Sequence, residues 1–188
     1  DDGSALDQRQ SISEMPSGMV AVSNGAVFAA SNPQNSTVFG ADKTFLSFGD
    51  DDAAIVTWTG TESPLYTQRV AREWRVQQHG AVGPVTVRVP ASTSTVANKL
   101  PWTTEPMYLL VDGDGVFSAG ATKVPMTLVG TNWETTYDLN DGQYFTFATD
   151  LVVPGDTRIA KASASTTVAR GGTVDFTVTL TAKSAISA

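Results

Sequence analysis

The chain has 188 residues, of which 41% are hydrophobic and 16% charged, with no cysteine and a formal net charge of −7. That length fits one ordinary domain, or one domain and part of a second, and the missing cysteines exclude disulfides, thiolate metal sites and cysteine nucleophiles. The acid surplus disfavours nucleic-acid phosphates and anionic membranes as partners, and no apolar run approaches the about 20 residues of a membrane-spanning helix.

Polarity comes from 25 threonines together with serine, asparagine and glycine. Threonine is β-branched and uncharged, which suits the solvent face of a strand. Gly, Pro, Asn and Asp recur about every ten residues between short apolar or alternating runs, as in a sandwich or barrel. The first 18 residues read as polar and irregular. Met19–Val22 and Ala26–Ala30, split by Asn24-Gly25, predict a hairpin with a tight turn. Thr44–Phe48 and Ala54–Thr59 predict strands around the acidic loop Gly49-Asp50-Asp51-Asp52. Gln68–Gln78 fits a strand or a helix by period. A strand is favoured because the His79-Gly80 stop leads into Val85–Val89, a strongly alternating partner, with Pro84 at a strand start. Met107–Val111 is nearly all apolar and predicts a central strand. Trp133, Thr135, Tyr137 and Leu139 share one alternate face, and Asn140-Asp141-Gly142 predicts a hairpin into Tyr144–Phe147.

Composition shifts at Val153-Pro154-Gly155. Beyond it come a weak strand, Arg170-Gly171-Gly172, and a period-2 strand with Val174, Phe176, Val178 and Leu180 on one face. Full burial of such side chains contributes about 1.5–3 kcal/mol each before ordering costs, and two strands alone do not close a core. This ribbon is therefore expected to pair with its own domain, to complete a neighbour's sheet by strand addition, or to open a further domain.

Candidate sites are few. His79, the only histidine, lies at a turn, and no Gly-x-Ser-x-Gly elbow surrounds any serine, so no hydrolase triad is expected. Asp50, Asp51, Asp52, Asp112 and Asp114 place oxygen ligands in loops where Ca²⁺ could collect them, although Asp and Gly also populate turns for conformational reasons. Neither loop carries the twelfth-position glutamate of an EF-hand. Arg69, Arg72, Arg75 and Arg88 fall within 20 residues. They fit either an anionic glycan or, as the favoured reading, ion pairs across strands. Trp58, Trp74 and Trp133 sit in alternating runs and read as core, whereas Trp102 in a Pro-Trp-Thr loop reads as a ligand contact. Asn35-Ser36-Thr37 is a sequon in a polar loop.

Several strings together resemble a bacterial domain of unknown function found in very large secreted surface proteins, where it often follows a concanavalin-like lectin module. They are Asp1-Asp2-Gly3-Ser4-Ala5-Leu6 with Gln8 and Gln10-Ser11, Asp42-Lys43-Thr44-Phe45-Leu46, Arg72-Glu73-Trp74-Arg75-Val76-Gln77, Val85-Thr86-Val87, Tyr108-Leu109-Leu110-Val111 with Asp112-Gly113-Asp114, and Asp141-Gly142-Gln143-Tyr144-Phe145-Thr146-Phe147. The segment from Ala160-Lys161 to Val178 looks like the first two strands of an Ig-like surface repeat. The resemblance carries no catalytic residues; it implies an exported, all-β module of a long surface assembly.

The expectation is an all-β fold: an antiparallel β-sandwich over residues 1–150, then a linker and two-strand extension over 151–188. The function expected is a non-enzymatic, extracellular structural module of a bacterial surface filament or fimbria-like assembly, joined head to tail through Val174, Phe176, Val178 and Leu180. The alternative is an adhesin module binding carbohydrate or calcium at its loops. The partners implied are copies of itself or adjacent domains of a larger surface protein, and glycans, with neither nucleic acid nor membrane insertion.

Overall fold

The computed structural model describes residues 8–13, 19–40, 43–55, 66–95, 99–100, 102, 104 and 106–150, and the backbone alone of 58–60, 158–163 and 176–181. The chain forms two compact units, Asp1–Asp150 and Leu151–Ala188.

The first unit is all-β, with antiparallel pairing throughout, and belongs to the sandwich-or-barrel class. One half of its sheet runs β1 (Gln10–Ile12), β2 (Ala21–Ser23), β7 (Val85–Pro90) and β10 (Asn132–Tyr137). The other runs β8 (Met107–Asp112), β11 (Tyr144–Thr149), β5 (Gln68–Val70) and β4 (Trp58–Gly60), with β6 (Trp74–His79) also on β11 and β3 (Phe45–Asp50) on β6. The long strand β9 (Thr122–Val129) joins the halves: residues 122–126 pair with β8, and 127–129 with β10. Pro125 falls where β9 pairs on one side only, a position that tolerates a residue without an N–H.

Alternation explains the core. Val85, Val87 and Val89 are fully buried, as is Trp133 opposite Val89. In the other half Trp74 stacks on Phe145 at 5.5 Å and meets Phe147 edge-on at 5.4 Å. β8 is buried on both faces, as its apolar run predicts. Leu109 and Val111 face Phe147 and Phe145, while Leu110 joins a cluster with Tyr66, Phe117 and Ala148 on the opposite side.

Three predicted pairings differ. Residues 26–30 form no strand: after the Asn24-Gly25 turn, with Gly25 at φ +79°, the chain runs as a loop. β2 pairs instead with β1 and β7, so the first 18 residues are not wholly irregular. β6 and β7 are not partners; they lie in different halves of the sheet. β10 and β11 form no hairpin either. The Asn140–Gly142 turn is a crossover, docked on β6 by Gly142 N–H donating to the Val76 carbonyl at 2.9 Å and Val76 N–H donating to the Gln143 carbonyl at 2.8 Å. Turn chemistry is local, but pairing is decided by which apolar faces meet, and that is what overrode all three.

Residues 68–79 are strands, as favoured, yet interrupted at Ala71–Glu73. β5 and β6 occupy the same flank of β11, one after the other. At the gap the Thr146 hydroxyl replaces ladder bonds, lying 2.7 Å from the Arg72 carbonyl and 3.2 Å from that of Val70.

In the second unit β12 (Arg158–Ser163) and β13 (Phe176–Thr181) pair antiparallel, with Leu180 opposite Ile159, Val178 opposite Lys161 and Phe176 opposite Ser163. Val174 lies outside the described residues.

Replacing Thr146 with valine keeps the shape and strips the hydroxyl from the Arg72 carbonyl, while the Val70 carbonyl keeps the Arg69 guanidinium, which donates to it at 2.9 Å. Leaving a buried acceptor unsatisfied costs about 1–3 kcal/mol, so T146V should lower unfolding free energy by that amount in a denaturant titration. An unchanged midpoint contradicts the role given to the hydroxyl.

Candidate functional site

The cleft that the fold builds begins with register. On β3, Ser47 and Gly49 lie opposite Gln77 and Arg75 of β6, and Tyr144 of β11 lies opposite Arg75 from the other side. The crossover turn stands beside them, its Asp141 carboxylate accepting Gln78 N–H at 2.8 Å. Between the end of β3, β6 and this turn is an open cleft of about 630 Å³.

Its electrostatics are mixed in sign. Arg75 lies over the Tyr144 ring, 5.5 Å from its centroid. The other wall against Tyr144 is Gly115, where an added Cβ would come within 3.3 Å of the ring. Around them stand the carboxylates of Asp50, Asp51, Glu73 and Asp141. Two have cationic backing: Arg69 pairs with Glu73 at 2.9 Å, and Arg72 lies 3.5 Å from Asp50. Asp51 is oriented by its own neighbourhood, since one carboxylate oxygen accepts N–H groups of Ala53 and Glu73 at 3.1 Å each.

The acidic motifs take up conformational roles. Asp50 ends β3 rather than lying in a loop, and its side chain accepts Asp52 N–H at 2.9 Å. Asp52, at φ +58°, also reaches Arg72 at 3.2 Å. Asp112 is buried and accepts N–H groups of Asp114 and Gly115 at 2.8 and 3.1 Å, while Asp114 accepts Val116 N–H at 2.8 Å. These side-chain turns fold residues 113–121 back over the sheet, so that Phe117 caps the Leu110–Ala148 cluster. Among the described residues no three His, Cys, Asp or Glu side chains converge to hold a metal ion.

The arginines divide. Arg69 and Arg72 are buried, the latter also donating to the Ala53 carbonyl at 2.6 Å. Arg88 pairs with Glu134, its direct cross-strand neighbour, at 2.6 Å and covers Phe28. Arg75 alone of the four is exposed.

Trp102 corrects an expectation. It is 8% exposed, and its carbonyl accepts Trp133 Nε1–H at 3.0 Å, so the ring belongs to the core and is not presented to a ligand. Trp74 and Trp133 are core, as predicted; the side chain of Trp58 lies outside the described residues. His79 ends β6 and is exposed. The sequon is closed to modification, because Asn35 is fully buried and its amide donates to Gln10, Ser23 and the Val27 carbonyl at 2.8–3.0 Å. Sequence reasoning missed Gly49, Gln77, Tyr144 and Asp141 as neighbours. Residues from three separate stretches meet there only because of the crossover, and no local motif signals it.

The side-chain hydrogen bond with Asp112, and then the Val116 N–H, hold the Asp114 carboxyl below its ordinary range. A carboxyl depressed in the folded state stabilises above its unfolded pKa, and that contribution is lost as pH falls through the folded value. D114N should therefore lose less melting temperature than the parent between pH 6 and pH 3. Parallel acid limbs for the two proteins contradict this.

A family model described as a domain of unknown function (DUF8202) matches residues 1–143, and the chain belongs to that family. No curated protein and no solved structure matches the chain.

Proposed function

We propose that this member of the DUF8202 family is a non-catalytic, extracellular module of a bacterial surface filament or fimbria-like assembly, joined head to tail to copies of itself by β-strand addition at its C-terminal hairpin. The observation that carries the reading is the two-stranded sheet β12–β13, whose strands, among the described residues, pair only with each other. A sheet of two strands is marginal in water, and its edges offer N–H and C=O groups to another chain. In sequence, Phe176, Val178 and Leu180 alternate with Thr177, Thr179 and Thr181 along β13, the period-2 pattern of a strand with one apolar and one polar set of residues.

Strand addition would use ladder bonds for affinity and alternate side chains for register. A head-to-tail contact need not close, so it propagates. Two further features support this reading. One is the threonine-rich, lightly charged composition; the other is the resemblance of residues 1–150 to domains of very large secreted surface proteins. The reading assigns no chemistry to the sole histidine, which is exposed at the end of β6.

Electron microscopy and light scattering of the full chain test the reading. The intact protein should form concentration-dependent linear assemblies. Both V178P, which removes a ladder donor, and deletion of residues 171–188 should give monomers. A full chain that stays monomeric, or filaments that survive either change, contradicts it.

A further inference from the structure

We infer that the cleft between the end of β3, β6 and the crossover turn binds a neutral saccharide unit, with the Arg75 guanidinium and the carboxylates of Asp51 and Asp141 engaging its vicinal hydroxyls. This does not rest on the hairpin reading. The cleft, at about 630 Å³, falls within the size range of small-ligand sites, about 300–1,000 Å³.

Its chemistry selects the class. Arg75 is a fork of N–H donors that cannot accept. Among the described residues it has no carboxylate within ion-pair distance, and its contact is the Tyr144 ring beneath it. Asp51 and Asp141 are pure acceptors. In each, one oxygen takes backbone N–H groups, which orients the carboxylate and leaves the second oxygen for an incoming hydroxyl. A hydroxyl both donates and accepts, so neighbouring hydroxyls satisfy the arginine and the carboxylates together. A cationic ligand meets Arg75, and an anionic one meets the carboxylates that outnumber it.

The walls are organised before any ligand arrives. The turn carrying Asp141 is held on β6 by two backbone hydrogen bonds, and Tyr144 is wedged between Gly115 and Arg75. Gly49 keeps the floor open: it lies opposite Arg75 in extended backbone, and a Cβ there would meet nothing within 4 Å.

The test is an NMR titration of the isotope-labelled full chain with the methyl glycosides of glucose, mannose and galactose and with N-acetylglucosamine. Glucuronate, lysine amide and calcium chloride serve as comparisons. At least one neutral sugar should give saturable shifts centred on the amides of Gly49, Arg75 and Gly142. R75A should weaken that binding by about tenfold or more. G49V, which fills the cleft from a position without strain, should do the same while leaving the melting temperature unchanged. The inference is overturned if no neutral sugar gives saturable shifts there, if glucuronate, lysine amide or calcium binds there more tightly than every neutral sugar, or if both variants bind as the parent does.

Discussion

The architecture of the first unit depends on the crossover after β10, where the meeting of apolar faces draws the chain from one half of the sheet to the other and two backbone hydrogen bonds latch the turn in place. Gly142 N–H reaches the Val76 carbonyl, and Val76 N–H reaches the Gln143 carbonyl, so the turn after β10 adheres to β6 instead of folding β11 back on β10. Everything downstream follows from that placement. β11 enters between β8 and the β5–β6 flank, which stacks Phe145 on Trp74 and sets Tyr144 opposite Arg75. A hairpin at the same turn would have kept β11 in the other half, and neither the aromatic core nor the cleft would exist.

Low charge in this chain does not mean little polar chemistry in its interior. Neutral side chains stand in for missing ladder bonds. The Gln8 amide bridges both backbone groups of Leu46, at 2.8 Å each, along the edge of β3. The Gln10 amide does the same to Ala29, at 2.8 and 2.9 Å. Asn32 accepts N–H groups of Arg9 and Gln10, and buried Asn35 ties Gln10, Ser23 and the Val27 carbonyl into one network. Neutral amides and hydroxyls satisfy buried backbone without the desolvation penalty of a buried ion. That gives the Asn, Gln and Thr content a structural reason beyond surface polarity.

Element type was largely legible in the sequence, and element pairing was not. Val85–Val89 and Met107–Val111 carry their burial in their own periodicity, and Trp74 and Trp133 announced themselves as core by alternation. The partner of a strand is a long-range property, however. Asn24-Gly25 and Asn140-Asp141-Gly142 are good turns that nevertheless join segments lying in different places. β9 went unread because Pro125 interrupts its pattern. Trp102 was misread for the opposite reason: Pro and Thr around it look like exposed loop, while a hydrogen bond from Trp133 to its carbonyl draws it inward. The acidic strings show oxygen-rich chemistry locally, and only the structure reveals that their first commitment is to backbone N–H groups and buried arginines. The cleft was invisible because Gly49, Arg75 and Tyr144 carry no shared motif.

The C-terminal ribbon is proposed as a joining element that another molecule completes. Hydrogen–deuterium exchange at the amides of residues 158–163 and 176–181, compared between dilute chain and assembled material, addresses it most directly. Rapid exchange is expected in the dilute chain and strong protection in the assembly, with the amides of β7 and β8 protected in both. Equal exchange in the two samples, whether fast or slow, would contradict the proposal.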